Sequence, residues 1–194
     1  MNAKSKVALT LPDGSVREYN GPVTGMTLAQ DIGPGLAKAA IVIVVNGEQW
    51  DLSRAITSDA DVSIITKRDE EALEILRHDA AHILAEAVKE LWPETQVTIG
   101  PAIENGFYYD IDFGSNDISD KDFAKIEQKM QELARSKQEF TRKEVSKEAA
   151  QTYFTNKGDE YKLELINELE DGQITFYESG HFTDLCRGPH IPNT

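Results

Sequence analysis

Two short stretches of this chain carry the residues best suited to chemistry. Arg77-His78-Asp79-Ala80-Ala81-His82 holds two imidazoles four residues apart, and Cys186-Arg187-Gly188-Pro189-His190 holds the single cysteine and another histidine at the same spacing. Imidazole titrates near neutrality and can act as base, acid or metal ligand. A thiol beside an imidazole can ionise, which makes Cys186 a candidate nucleophile. His78 and His82 fall in the longest helical pattern of the chain, where a spacing of four puts both on one face. Gly188 and Pro189 argue against a helix for the second pair, which is expected on a turn. Three His and one Cys also satisfy the ligand chemistry of a tetrahedral Zn²⁺ site. Spacing alone does not separate a metal cluster from a metal-free acid–base cluster.

The elements that must position these residues can be read from periodicity. Leu73, Leu76, Ala80, Ile83, Leu84, Ala87 and Leu91 repeat at helical spacing and predict an apolar stripe opposite the two histidines, in a helix that stops at Pro93. Before it, Val7 to Thr10 and Val16 to Tyr19 flank the turn Pro12-Asp13-Gly14-Ser15. Thr27 is a candidate cap for a short helix from Leu28, which Gly33-Pro34-Gly35 interrupts before Leu36 to Ala40. The β-branched run Ile41 to Val45 meets the turn pair Asn46-Gly47, with return strands near Gln49 to Leu52 and Val62 to Thr66. The resulting ββαββ order predicts a small grasp-like domain with a helix on one sheet face, linked through charged residues 67–71 to the His-bearing helix. After that helix, residues 97–113 read as short strands around Gly100-Pro101 and Asn105-Gly106. A second amphipathic helix starts at Ser119 or Asp120, with Phe123, Ile126, Met130 and Leu133 on one face. A strand from Phe140 and a helix over Ser146 to Phe154 follow. Tyr161 to Leu169 is open between helix and strand, and Ile174 to Tyr177 with His181 to Leu185 reads as a hairpin. The fold class expected is α+β.

At 194 residues the chain suits one large or two small domains. No apolar run approaches the ~18 residues of a membrane span, and Met1-Asn2-Ala3-Lys4-Ser5-Lys6 does not open a signal peptide. One cysteine excludes an internal disulfide framework and fits a reducing cytoplasm. The formal net charge of −14 disfavours unaided binding to a nucleic-acid backbone, which needs clustered cations.

Longer blocks carry a resemblance. Leu11-Pro12-Asp13-Gly14-Ser15, Asp31-Ile32-Gly33-Pro34-Gly35-Leu36-Ala37-Lys38-Ala39 and Val45-Asn46-Gly47-Glu48 resemble the TGS domain, a ubiquitin-like β-grasp module. The histidine stretch, the block from Ile99 to Asp110 and the block from Asp184 to His190 resemble the editing domain of the bacterial threonyl-tRNA synthetase family, which is related to that of the alanyl enzymes. The family's order covers essentially the whole chain. The resemblance implies a TGS domain over 1–66 and an editing domain over 67–194 with helices on an antiparallel sheet. It also implies an N-terminal fragment, whose editing domain is incomplete at its C-terminus and whose class II core and anticodon domain are elsewhere.

The implied function is hydrolysis of the ester joining serine to tRNA(Thr), in a protein that as a whole ligates threonine to tRNA(Thr) using ATP. The resemblance gives catalytic roles to His78, His82, Lys162, Asp184, Cys186 and His190. His78, His82 or His190 can serve as base. Cys186 is either nucleophile or positioner, the latter preferred because ester hydrolysis requires no acyl-enzyme. Asp184 holds the substrate ammonium or orients a histidine, and Lys162 holds water or stabilises negative charge. Tyr108, Tyr109 and Arg187 are substrate-binding candidates. No cofactor is firmly expected here, although Zn²⁺ at His78, His82, Cys186 and His190 stays open. Zn²⁺ and ATP/Mg²⁺ would belong to the core. The expected partner is the acceptor end of tRNA(Thr), held mostly by other domains. The whole protein is expected to be a homodimer through that core, and this piece a monomer. Two alternatives remain: a non-catalytic tRNA-docking or regulatory module, and an unrelated metallohydrolase. The latter is weakened by Asp79, where the peptidase signature has glutamate.

Overall fold

A computed structural model describes residues 6–194. By packing, the chain forms two compact units, one reaching Ile75 and including Gly188–Pro192, the other comprising Leu76–Arg187 with Asn193–Thr194.

The first unit is built on a five-stranded sheet. β1 (Lys6–Thr10) and β2 (Val16–Asn20) form a hairpin, as do β4 (Ala40–Val45) and β5 (Glu48–Asp51). β7 (Ala60–Thr66) lies between them, parallel to β1 and antiparallel to β4, which gives the order β2-β1-β7-β4-β5. A short pair, β3 (Val23–Thr24) with β6 (Ala55–Ile56), stands apart. The β4–β5 turn follows from its two residues: Asn46 and Gly47 both have positive φ, at 50° and 88°, the geometry that Asn-Gly supports in a two-residue hairpin. Asn46 also binds β7, its N–H donating to Asp61 O at 2.8 Å and its Oδ1 accepting from Asp61 N at 2.9 Å.

Helix α1 (Gly25–Ile32) covers one sheet face, burying Leu28 and Ala29 against Val7, Leu9, Ile43 and Val62. Thr24, not Thr27, caps it: the Thr24 hydroxyl accepts from Thr27 N at 3.1 Å. The helix therefore starts a turn earlier than its apolar residues suggest. Gly25 is required there, because a Cβ would come within 2.9 Å of Ile43 Cγ2. The second short helix, α2 (Pro34–Ala39), begins at the proline expected to interrupt, consistent with the tolerance of proline in a first helical turn. The opposite sheet face carries its own cluster of Ile41, Val42 and Ile65 with Ala72, Ile75 and Ile191. A register shift between Ala40 and Val42 accompanies the burial of both Ile41 and Val42.

α3 (Ala72–Leu91) is one continuous helix that ends before Pro93. Its buried face differs from the expected stripe. Leu73 is 51% and Leu76 39% exposed, whereas Ala72, Ile75, Asp79, His82, Ala85 and Glu86 are buried. Of the expected stripe, Ala87 is buried and Ala80, Ile83, Leu84 and Leu91 are half-buried, so the stripe is displaced mainly at its first turn, and the most buried face also carries three polar side chains.

In the second unit, β8 (Gln96–Val97) pairs with β11 (Ile111–Asp112), and β9 (Ala102–Ile103) with β10 (Gly106–Phe107). A 3₁₀ turn (Asp120–Asp122), closed by a Ser119/Asp122 capping box, leads into α4 (Phe123–Ser136). Ile126 and Leu133 of α4 are buried, but Phe123 is exposed. β12 (Thr141–Glu144), β13 (Thr175–Ser179) and β14 (Phe182–Leu185) form an antiparallel sheet in that order. The expected helix is α5 (Lys147–Lys157), and the segment left open is helical too, as α6 (Glu160–Glu168); the two are separated by Gly158 at φ 69° and capped by Ser146 and Asp159 respectively. Their apolar sides share a core of Ala150, Phe154, Ile166, Ile174 and Phe176. There the rings of Phe154 and Phe176 meet edge to face at 5.4 Å, a favoured aromatic geometry.

Candidate functional site

Three elements of the second unit bring polar side chains together. α3 supplies His78 and His82, whose ring centroids lie 4.8 Å apart at 70°. The end of β14 supplies Asp184 and, just beyond it, Cys186. The Cys186 N–H continues the sheet ladder by donating to Thr175 O at 3.1 Å, and its carbonyl accepts from the Thr175 hydroxyl. The first turn of α6 supplies Lys162, whose own N–H is capped by Asp159 Oδ1 at 3.1 Å.

Asp184 is the hub. Its Oδ1 meets Lys162 Nζ at 2.6 Å and accepts from Leu185 N at 2.8 Å; its Oδ2 accepts from Tyr109 Oη at 3.0 Å and faces His82 Nδ1 at 3.5 Å. Both Asp184 and Lys162 are 2% exposed. Burial alone would push the Asp184 carboxyl up, yet the Lys162 ammonium, His82 and the donated hydrogen bonds hold it below the usual carboxylate value. The Tyr109 phenol is pushed up, first by burial and then by the Asp184 charge, so it remains a donor. Lys162 Nζ also donates to Thr98 O at 2.6 Å. An ammonium has three donors, which leaves one for a substrate atom or water.

His78 Nε2 lies 3.1 Å from Cys186 Sγ. His78, His82 and Cys186 each offer a donor atom within 4.8 Å of the others, a set with the N/S chemistry of a zinc site. These residues could hold a metal. The carboxylate at His82 Nδ1 favours the proton on that nitrogen and the lone pair on Nε2, which equally suits a base.

The other expected residues lie as follows. Tyr108 is 50% exposed and Arg187 is also exposed, and neither joins the Asp184 network. His190 belongs to the Gly188–Pro192 segment of the first unit, where its side chain is buried and its N–H donates to Asp51 Oδ1 at 2.8 Å. Sequence reasoning missed Gly100, where a Cβ would fall 2.1 Å from the Tyr109 ring. The ring lies directly on that glycine, whose signal was the Gly-Pro pair taken as a simple turn. It also missed the Thr98 carbonyl, for which a side-chain motif offers no signal.

Fold and site define a class: a TGS domain, matched over residues 7–66, and the Threonyl and Alanyl tRNA synthetase second additional domain, matched over residues 174–194. The chain thus carries the TGS and editing domains of the threonyl-tRNA synthetase family. It is 54% identical over 188 residues, 97% of its length, to the threonine–tRNA ligase of Cytophaga hutchinsonii. It shows the same identity over 189 residues, 96% of its length, to that of Granulibacter bethesdensis, and over 190 residues, 97% of its length, to that of Paramagnetospirillum magneticum. It spans 29%, 29% and 30% of those three proteins. No described helix is long and apolar enough to cross a membrane.

Proposed function

We propose that this chain hydrolyses the ester between serine and the terminal adenosine of tRNA(Thr), removing an amino acid wrongly attached. The observation that carries the reading is the buried Lys162–Asp184 pair beside His82 and the His78–Cys186 contact, in a chain this similar to threonine–tRNA ligases. Threonine and serine differ by one methyl group, worth only about 1–3 kcal/mol in a single pocket, so a second, hydrolytic site multiplies the discrimination.

Hydrolysis of an activated ester needs a positioned water, a base and donors for the developing oxyanion. His82, its Nδ1 facing Asp184, takes the water proton on Nε2 as the water oxygen bonds to the ester carbonyl carbon. The same imidazolium returns a proton to the departing ribose oxygen, releasing serine and a free tRNA hydroxyl. The free N–H of Lys162 stabilises the oxyanion. Both carboxylate oxygens of Asp184 are engaged, Oδ1 by Lys162 and Leu185 N and Oδ2 by Tyr109 and His82, which favours orienting His82 over binding the substrate ammonium. His78 and Cys186 position the water, and His190, four residues beyond Cys186, serves the same site by resemblance. Tyr109 shapes the pocket wall, with Tyr108 and Arg187 reaching for the nucleotide. A Zn²⁺ held by His78, His82 and Cys186 would supply Lewis-acid polarisation of water, but the protein groups suffice for an ester.

On this reading 1–66 is the TGS domain and 67–194 the editing domain. The wider activity proposed for the protein is ATP-dependent ligation of threonine to tRNA(Thr) in the cytoplasm, as a homodimer with Zn²⁺ and Mg²⁺ in its catalytic core. Serine release from Ser-charged tRNA(Thr) tests the hydrolytic claim. His82→Ala should slow it by about 10²-fold or more, the usual contribution of a general base. Release unchanged in the variant would remove His82 from the mechanism, and no release by the unaltered chain would favour a docking module.

A further inference from the structure

Glu86 is a buried carboxyl that the proposed reaction does not use. It lies on α3 one turn beyond His82, on the same face, and is 3% exposed. Its partner is the hydroxyl of Ser179, the last residue of β13, itself 2% exposed. Ser179 Oγ lies 3.1 Å from Gln138 Oε1, on the segment between α4 and β12. One hydroxyl thus faces two acceptors with a single proton. If that proton goes to Gln138, the Glu86–Ser179 bond needs its proton from Glu86. Among the described residues, the groups acting on Glu86 include no cation. The charged group acting on it is Glu90 on the same helix, which is paired with Lys129 of α4 at 3.1 Å. Ser179 from β13 and Gln138 from the α4–β12 segment bring no charge, and His82 stands one turn before Glu86 on the same helix. Burial first, then Glu90, raises the Glu86 carboxyl to about 7 against the donated Ser179 bond.

We propose that Glu86, in its protonated form, is a positioning residue that seats the β13–β14 hairpin against α3. That seat fixes the strand carrying Asp184 and Cys186 relative to the helix carrying His78 and His82. Ionising Glu86 turns the Glu86–Ser179–Gln138 chain into two acceptors competing for one proton, and loosens the seat. The catalytic half of this inference rests on the hydrolysis proposed above; the seat itself does not.

Glu86→Gln keeps the size and offers an amide N–H to Ser179, but cannot ionise. Thermal unfolding and Ser-tRNA(Thr) hydrolysis of both chains, measured from about pH 4 to about pH 9 across the Glu86 value, separate the two halves. Between the ordinary carboxyl value of 4.5 and about 7, the folded chain keeps a proton that the unfolded chain has released. Stability of the unaltered chain should therefore fall with rising pH relative to Glu86→Gln, with the gap constant above that window. Hydrolysis should fall relative to Glu86→Gln only above about pH 7, by about five- to tenfold one unit higher. Parallel melting curves overturn the seat, whatever the hydrolysis. A melting gap with a hydrolysis ratio independent of pH overturns the positioning role. A melting gap with no hydrolysis in either chain refutes the reaction proposed above and leaves the seat intact.

Discussion

At the scale of single residues, the site depends on one buried charge being fully met. Asp184 accepts from a lysine, a tyrosine and its neighbour's N–H, and faces a histidine. Removing one partner of a buried ion pair strands the other, which costs about 3–5 kcal/mol. Both groups are buried, so solvent screening does not reduce that figure. Lys162→Met should lower stability at neutral pH by about that amount, measured by denaturant unfolding. The pH dependence has a definite sign. With Lys162 present, the depressed Asp184 value adds stability above the ordinary carboxyl range, lost as pH falls through the folded value below 3.8. Without Lys162 the balance shifts towards burial and the Asp184 carboxyl rises, so the variant should lose less stability than the unaltered chain as pH falls through the carboxylate range. A variant equally destabilised across that range would show that Lys162 acts through packing and not charge.

At the scale of elements, α3 carries both the structure and the proposed chemistry, and its two faces make opposite predictions. Leu73→Gln alters an exposed residue and should change stability by no more than about 0.5 kcal/mol. Ala85→Leu adds volume at a fully buried position and should cost about 1–3 kcal/mol. Unfolding midpoints of the two variants check this, and the reverse ranking would restore the apolar stripe read from sequence. That stripe misled at Leu73 and Leu76, and it left out Asp79, His82 and Glu86, which share the buried face. Most other elements were legible because their signals are local: Asn46-Gly47 sets its own turn, Pro93 stops α3, and Ser146 caps α5. Lys162 was legible only through resemblance. Nothing beside it marks it as buried, since its partners Thr98 and Asp184 are distant in sequence. Gly100 and the Glu86–Ser179 contact were invisible for the same reason.

At the scale of the whole molecule, the two units divide the labour that the family match suggests. The first holds the β-grasp core matching the TGS domain, and the second carries the buried Lys162–Asp184 pair. A chain with a formal net charge of −14 does not grip RNA by charge alone. Selectivity is therefore expected from chemistry at the ester and not from affinity for the RNA. The central claim is selective hydrolysis, and the most direct measurement is single-turnover release of amino acid from Ser-tRNA(Thr) and Thr-tRNA(Thr), side by side with excess protein. The account predicts serine release faster than threonine release by about 10²-fold or more, comparable to the best a methyl-sized difference provides in one pocket. Equal rates for the two esters, or serine release no faster than the uncatalysed reaction, would contradict it.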